Sequence, residues 1–472
     1  MADEPEKKHV HIIGLCGVGM SATALLLKES GYTVSGSDAE CYGPPKNILE
    51  RAGLFPILGY APENIPAETD LFVVGRNAKL AYDDNAEVRA AFEFGKPIRS
   101  FPEILGDITT GRENLVVAGS YGKSSTTALI AFILRHAGVD AGYFIGAEPV
   151  SLPHPSGLGT HPVFVLEGDE YPSGHKDPQA KFMHLHPRDV ILTSVVHDHV
   201  NIYPTFEEYQ KPFRDLLALV PPEGLVIVSA DEPRALEMAE ESRKKIVTYG
   251  VYHGMYSARD IEIGERTHFI LTKDDEPVIE IETTLLGKHN FENIVGASTY
   301  LLSRELVTPE ALRSAVAVFG GVRRRLDNIA LTSKVPIFEG FGSSYEKARA
   351  AIDALRLHFG TRRLVIVFEP HTFSWRNRAN LSWYDKVFGG ADLAFIAPPE
   401  TQGSDTHEQL SGDEIMNRLS GSGIDVLLYD PTHPEAVLSH LTENDVILVL
   451  TSGDLEGSLE SFARCVSQHF PL

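Results

Sequence analysis

The chain is poor in the features that place a protein outside the cell or in a membrane. Three cysteines, Cys16, Cys41 and Cys465, are spread over 472 residues with no Cys-x-x-Cys pair. That usage argues against a disulfide framework and against a structural zinc site. No apolar run reaches the roughly 18 residues that a membrane-spanning helix needs. The opening, Met1 to Lys8, is charged and lacks the apolar core of a secretory signal, so the expected compartment is the cytoplasm. Basic residues are in deficit: 42 against 65 acidic ones, a formal charge of −23. A field of that sign repels nucleic acid and anionic membrane, and neither is an expected partner. Any phosphorylated ligand must therefore be held by local cationic pockets. The expected state is a monomer or weak dimer.

A phosphate-binding signature is what the chain does carry. Gly119-Ser120-Tyr121-Gly122-Lys123-Ser124-Ser125 follows the apolar run Leu115-Val116-Val117-Ala118 and leads into a helical stretch, Thr126 to Leu134. Strand, glycine turn and helix start are the context that such a loop requires. Glycines let the backbone close around an anion, and free N–H groups at the helix N-terminus point at it. Lys123 would neutralise the outer phosphates, and the Ser124 hydroxyl is placed for a magnesium ion. The spacing is shorter than in the common Walker A loop, and glycine turns of this size also serve as plain helix caps. The Lys-Ser pair and the preceding strand favour the nucleotide.

Further α/β stretches lie on both sides. His9-Val10-His11-Ile12-Ile13 reads as a strand, then come Gly14-Leu15-Cys16-Gly17-Val18-Gly19-Met20 and an amphipathic helix from Ser21 to Ser30. A second strand, Thr33-Val34-Ser35, ends in Gly36-Ser37-Asp38, a Rossmann-like opening. Its glycine spacing departs from the dinucleotide fingerprint, which leaves a nicotinamide-dependent dehydrogenase as a weak alternative. Strands at Val163 to Leu166 and Val190 to Thr193 follow the phosphate loop, then a polar β-patterned section from Ile261 to Thr284. Beyond Phe319, strands at Leu364 to Phe368, Leu393 to Ile396 and Val446 to Leu450 alternate with helical patterns such as Glu346 to His358. Alternation of this kind implies parallel sheets covered by helices. The fold expectation is α/β in three parts: 1–107 Rossmann-like, 108–318 a central phosphate-loop domain with a mostly parallel sheet, and 319–472 Rossmann-like.

More motifs stand in a fixed order: Leu166-Glu167-Gly168-Asp169-Glu170-Tyr171, Asp198-His199, Gly287-Lys288-His289-Asn290 with Asn293, and Gly321-Val322-Arg323-Arg324-Arg325. With the Gly17 to Met20 turn, Gly36-Ser37-Asp38 and the Gly119 to Ser125 loop, they make the chain resemble the Mur ligases along essentially its whole length. The resemblance implies an ATP-dependent, carbon–nitrogen bond-forming ligase of peptidoglycan synthesis and recycling, with ATP and Mg2+ as cofactors. The three parts would bind the UDP-sugar, ATP and the amino substrate in turn. Implied UDP-sugar contacts are Cys16, Gly17, Val18, Gly19, Met20, Ser37 and Asp38. Residues 119–125 with His289, Asn290, Asn293 and Arg325 would bind ATP, while Ser124, Glu167 and His199 would hold the metal. Lys123, Glu167, His199 and Arg325 would act in catalysis, and Ser343, Ser344, His371, Arg376 and Asp454 would meet the amino substrate. Each has a plainer reading, such as a strand-end carboxylate for Glu167, a satisfied histidine for His199, or a charge cluster for Arg323 to Arg325.

Within the family, Gly36 to Ala39 with Tyr42, Glu167 to Tyr171, and Lys181-Phe182-Met183-His184 with Pro187-Arg188 look like members that join UDP-N-acetylmuramate to a recycled murein tripeptide. Phe368-Glu369-Pro370-His371-Thr372-Phe373-Ser374 and Ser452-Gly453-Asp454 look more like members that add a single L-alanine. The first set covers more sequence, so the expected partners are UDP-N-acetylmuramate and a short murein peptide. The family pattern breaks at Ser120-Tyr121, where Thr-His is usual, and mildly at Gly168. It breaks further at Glu339-Gly340-Phe341-Gly342-Ser343-Ser344-Tyr345, where two carboxylates, an aromatic, a small residue and His-His-Pro are typical. That segment leaves the amino substrate open. It also sustains another alternative, a nucleotide-sugar-binding protein with impaired catalysis.

Overall fold

Apolar runs alternating with amphipathic helices become three separate sheets in the computed structural model, which describes residues 8–174, 177–199, 201–399, 408–421 and 423–472. The charged opening, residues 1–7, lies outside the described residues. The N-terminal sheet has the order Ile57–Leu58, Thr33–Asp38, His9–Ile13, Thr69–Val74, Ile98–Arg99, all parallel. Its central strand is buried throughout, as a strand covered on both faces must be.

Two histidines in that strand therefore need partners. His11 Nε2 donates to Glu87 Oε1 at 2.9 Å, and the Ser37 hydroxyl donates to the same oxygen at 2.6 Å. Glu87 Oε2 accepts the Ala61 N–H at 2.9 Å and Asn64 Nδ2 at 2.8 Å. Glu87 is fully buried. Burial alone would push its carboxyl up, but these donors, His11 first, outweigh it and hold it below the ordinary range.

The central sheet runs in parallel from Ile246–Tyr249 through Val226–Ser229, Asp189–Leu192, Glu113–Ala118 and Val163–Glu167 to Gly142–Phe144. Ser156–Gly157 closes one edge antiparallel, and Tyr256–Glu262, Thr267–Lys273 and Glu276–Thr283 extend the other. In the six-stranded sheet, Ile337–Gly340, Asp445–Leu450, Arg363–Phe368, Leu393–Ile396 and Asp425–Leu428 are parallel, and Arg325–Asn328 is an antiparallel edge. By packing, residues up to Asp260 with Phe269–Ile281 and Phe291–Ala317 form one unit. Ile261–His268, Glu282–Asn290 and Val318–Leu472 form another. The α/β expectation holds in both.

The reading of the cysteines needs correction, because Cys16 and Cys41 are joined in a disulfide with Cα atoms 5.4 Å apart. No spacing rule signals a pair 25 residues apart. Topology explains it: Cys16 follows the first strand and Cys41 the second, and these are parallel neighbours, so both turns leave the same edge.

Candidate active site

The phosphate loop forms between strand Glu113–Ala118 and helix Lys123–His136. Gly119 and Gly122 have φ of +138° and +82°, backbone that suits glycine alone. Space is closed too: a Cβ on Gly119 would fall 2.2 Å from Thr193 Oγ1, and one on Gly122 2.6 Å from Asn293 Oδ1. Asn293 thus packs against the loop, and its Oδ1 accepts the Thr126 hydroxyl at 3.2 Å. Ser120 is turned inward, donating to Val196 O at 2.8 Å, while the Tyr121 ring is exposed. Ser125 is half-buried as the third residue of the helix.

Lys123 Nζ donates to Gly119 O at 2.5 Å and to Glu170 Oε2 at 3.1 Å. Ser124 Oγ donates to Glu167 Oε1 at 2.6 Å, and the Gly146 N–H donates to Glu167 Oε2 at 2.6 Å. A hydroxyl and a carboxylate in contact are hard oxygen donors, the set that suits magnesium. His199 is placed differently. Its backbone is left-handed at φ +55°, its Nε2 lies 3.4 Å from Glu170 Oε1, and its ring meets the edge of Tyr171 at 4.8 Å. Ser124 and Glu167 are therefore brought together, whereas His199 sits on Glu170. Among the described residues, no three histidine, cysteine, aspartate or glutamate side chains gather as a cation site.

Glu170 itself is absent from the expected site residues. It is fully buried and also accepts the Tyr209 hydroxyl at 3.2 Å, so Lys123, His199 and Tyr209 converge on one carboxylate. Its place three residues after Glu167 in the acidic motif was the available signal.

A cavity of about 400 Å³ is lined by Gly17, Val18, Gly19, Met20 and Asp38, and also by Glu167, Asp169 and Lys181. Gly17 caps helix Val18–Glu29. The Cys16 N–H donates to Asp38 Oδ2 at 2.7 Å, and the Tyr60 hydroxyl donates to Asp38 Oδ1 at 2.8 Å. Two expected sugar contacts do not line this cavity. The Ser37 hydroxyl is committed to Glu87 and the Cys16 sulfur to Cys41. Burial would push the Asp169 carboxyl up, but the Lys181 ammonium at 2.5 Å outweighs it and holds it below the usual carboxylate range.

In the second unit, strands Ile337–Gly340, Arg363–Phe368 and Asp445–Leu450 end at one edge, where open α/β sheets hold ligands. Ser343 O accepts the Thr372 hydroxyl at 3.1 Å, and Gly342 O accepts Trp375 Nε1 at 2.7 Å. The Ser344 hydroxyl caps helix Tyr345–His358. His371 Nδ1 lies 3.9 Å from Glu369 Oε1, and Arg376 is buried close by on the same segment. Asp454 instead closes its own loop, accepting the Gly457 N–H at 2.9 Å. Asn290 Nδ2 donates to Leu286 O at 2.8 Å in the first turn of helix Lys288–Ser303. Burial first, then the charge of Arg325, keeps the His289 imidazole below its ordinary pKa. Arg325 is exposed; Arg323 pairs with Asp327, and Arg324 with Glu339.

Glu339 does not restore the carboxylate missing at Gly340. It is buried 3.1 Å from Arg324 Nε, and burial together with nearby Asp327 pushes its carboxyl up from 4.5 to about 7. A folded-state pKa above the unfolded one gives stability that is complete below pH 4.5 and lost as pH rises through 7. Glu339→Gln stays neutral, so thermal melts should show it gaining on the parent from pH 5 to pH 8. Parallel curves would mean that Glu339 is charged throughout.

Residues 117–301 match the family model for the Mur ligase middle domain, and residues 9–113 that for the Mur ligase family catalytic domain. A UDP-N-acetylmuramate–L-alanine ligase from Psychrobacter sp. is 32% identical over 376 residues, 78% of this chain and 76% of that protein. A UDP-N-acetylmuramate–L-alanyl-γ-D-glutamyl-meso-2,6-diaminoheptandioate ligase from Escherichia coli is 30% identical over 396 residues, 83% and 85% of the two chains. The solved UDP-N-acetylmuramate–alanine ligase of Thermotoga maritima shares the fold with a TM-score of 0.79 at 22% identity, covering 98% of this chain and 99% of that one.

Proposed function

Because this chain belongs to the Mur ligase family of ATP-dependent amide-forming ligases, we propose that it joins the lactyl carboxylate of UDP-N-acetylmuramate to the amino group of a short murein peptide. One observation supports this reading above the others. A single cavity runs from the Gly17 turn to Glu167, whose carboxylate takes the hydroxyl of Ser124 on the phosphate loop. A carboxylate is a poor acylating agent because its leaving group is so basic. Transfer of the γ-phosphoryl of ATP makes an acyl phosphate, which an amine attacks to give the amide. Catalysis is then positioning and charge stabilisation. In this scheme Lys123 and the loop amides cradle the phosphates. Ser124 and Glu167 hold magnesium, which supplies charge neutralisation at the transferring group. Residues 1–107 serve the UDP-sugar, 108–318 ATP and 319–472 the amine, and the work is done in the cytoplasm.

Single L-alanine is the second reading, favoured by Phe368 to Ser374 and by relatives of that name. Serines and glycine at 340–344 occupy less volume than imidazoles and a carboxylate, and a peptide recovers contacts there that alanine cannot. Phosphate release with ATP, magnesium and UDP-N-acetylmuramate should give its highest specificity constant with the tripeptide. A higher value for L-alanine would transfer the assignment to the second reading. No turnover with either amine would leave a nucleotide-sugar-binding protein.

A further inference from the structure

We propose that Arg76 receives the carboxylate of the nucleotide-sugar substrate and so separates carboxylated from uncarboxylated UDP-sugars. The inference rests on the reading that this cavity takes a UDP-sugar. Arg76 lies two residues beyond strand Thr69–Val74, whose carboxyl end shares an edge with the glycine turn. It lines the cavity together with Gly17, Glu167 and Lys181. Its guanidinium carbon stands 5.4 Å from the centre of the Tyr171 ring, and Lys181 Nζ lies 5.7 Å from the same centre.

The His199 ring also meets Tyr171 at 4.8 Å, and Arg76 and Lys181 are two cations over the same tyrosine beside the acidic motif. These cations are held differently. Lys181 is paired with Asp169 at 2.5 Å, whereas Arg76 meets no carboxylate within ion-pair distance among the described residues. In a chain with 65 acidic residues, a guanidinium that lines a cavity and has no carboxylate within ion-pair distance is available to an anion from solution.

Two anionic groups of the substrate need places. The diphosphate suits the glycine turn, where the N–H groups of a helix N-terminus point outward. A guanidinium offers two parallel N–H groups in a plane, the match for a carboxylate. The reacting carboxylate must also lie toward Glu167, and Tyr171 is four residues further along that motif. The ring contact holds the guanidinium beside the acidic motif, so a carboxylate bound to it is placed for phosphoryl transfer.

The test is equilibrium binding of UDP-N-acetylmuramate and of UDP-N-acetylglucosamine, which has a free hydroxyl in place of the lactyl ether that bears the carboxylate, to the full chain. Arg76→Ala should weaken the first by on the order of tenfold, the typical cost of a lost charge-assisted hydrogen bond, and leave the second unchanged. Arg76→Lys should recover only part, because an ammonium keeps the ring contact but lacks the fork. Equal weakening of both ligands would assign Arg76 to the diphosphate and overturn the proposal. Unchanged affinities with a lowered melting temperature would overturn it as well, leaving Arg76 as packing for Tyr171. If the parent chain binds neither sugar, the UDP-sugar reading itself falls.

Discussion

Lys123→Ala abolishes phosphate release while UDP-sugar affinity stays close to that of the parent. The expected loss is on the order of a thousandfold or more, the scale for removing a preorganised cation from a developing phosphoryl charge. The side chain emerges from the first residue of helix Lys123–His136 and folds back over the loop onto Gly119 O. It therefore sits where outer phosphates would lie above the loop amides. Truncation also strips an ammonium from buried Glu170, so some stability is lost together with activity. Sugar binding separates the two effects, because Lys123 does not line the sugar cavity. Turnover within tenfold of the parent would remove Lys123 from the phosphate site and with it the ATP assignment of this loop.

Glu87→Ala carries the largest expected cost in stability, about 3–5 kcal/mol by denaturant titration, the range for breaking a buried charged network. Its carboxylate accepts four donors from three separate segments: His11, Ser37, and Ala61 with Asn64 on one turn. Removing the acceptor leaves the His11 and Ser37 groups facing apolar surroundings with no water to replace it. Ser37 precedes Asp38, so the damage reaches the sugar turn through the Asp38 bond to the Cys16 N–H. A measured cost below 1 kcal/mol would mean that the pocket refills with solvent on truncation.

What was legible in the sequence was local. The phosphate loop lies within one strand–turn–helix stretch, so spacing alone locates Gly119 to Ser125. The acidic motif was visible for the same reason, and strand ends are where such groups serve. Boundaries moved where a cap decided them: the first helix was expected from Ser21 but begins at Val18, because Gly17 is extended at φ −70° and ψ 148° and caps the helix there. Residues were misplaced where the partner lies far away in sequence. Ser37 looked like a ligand group until Glu87, 50 residues on, claimed its hydroxyl. The direction of Glu339 depends on the antiparallel edge strand Arg325–Asn328, which no periodicity announces. Arg76 has no motif around it, and only the fold brings it to Tyr171.

Glu170 carries a consequence for whatever anion fills the loop. Ammonium, imidazole and phenol converge on a carboxylate that water does not reach, and the ammonium is the partner that fixes its charge. An anion landing on the loop draws Lys123 toward itself. The buried carboxylate left behind then keeps the His199 imidazole and the Tyr209 hydroxyl as neighbours, and losing its cation is costly. Filling the loop therefore competes with the Lys123–Glu170 contact, so the loop and the acidic motif share one ammonium.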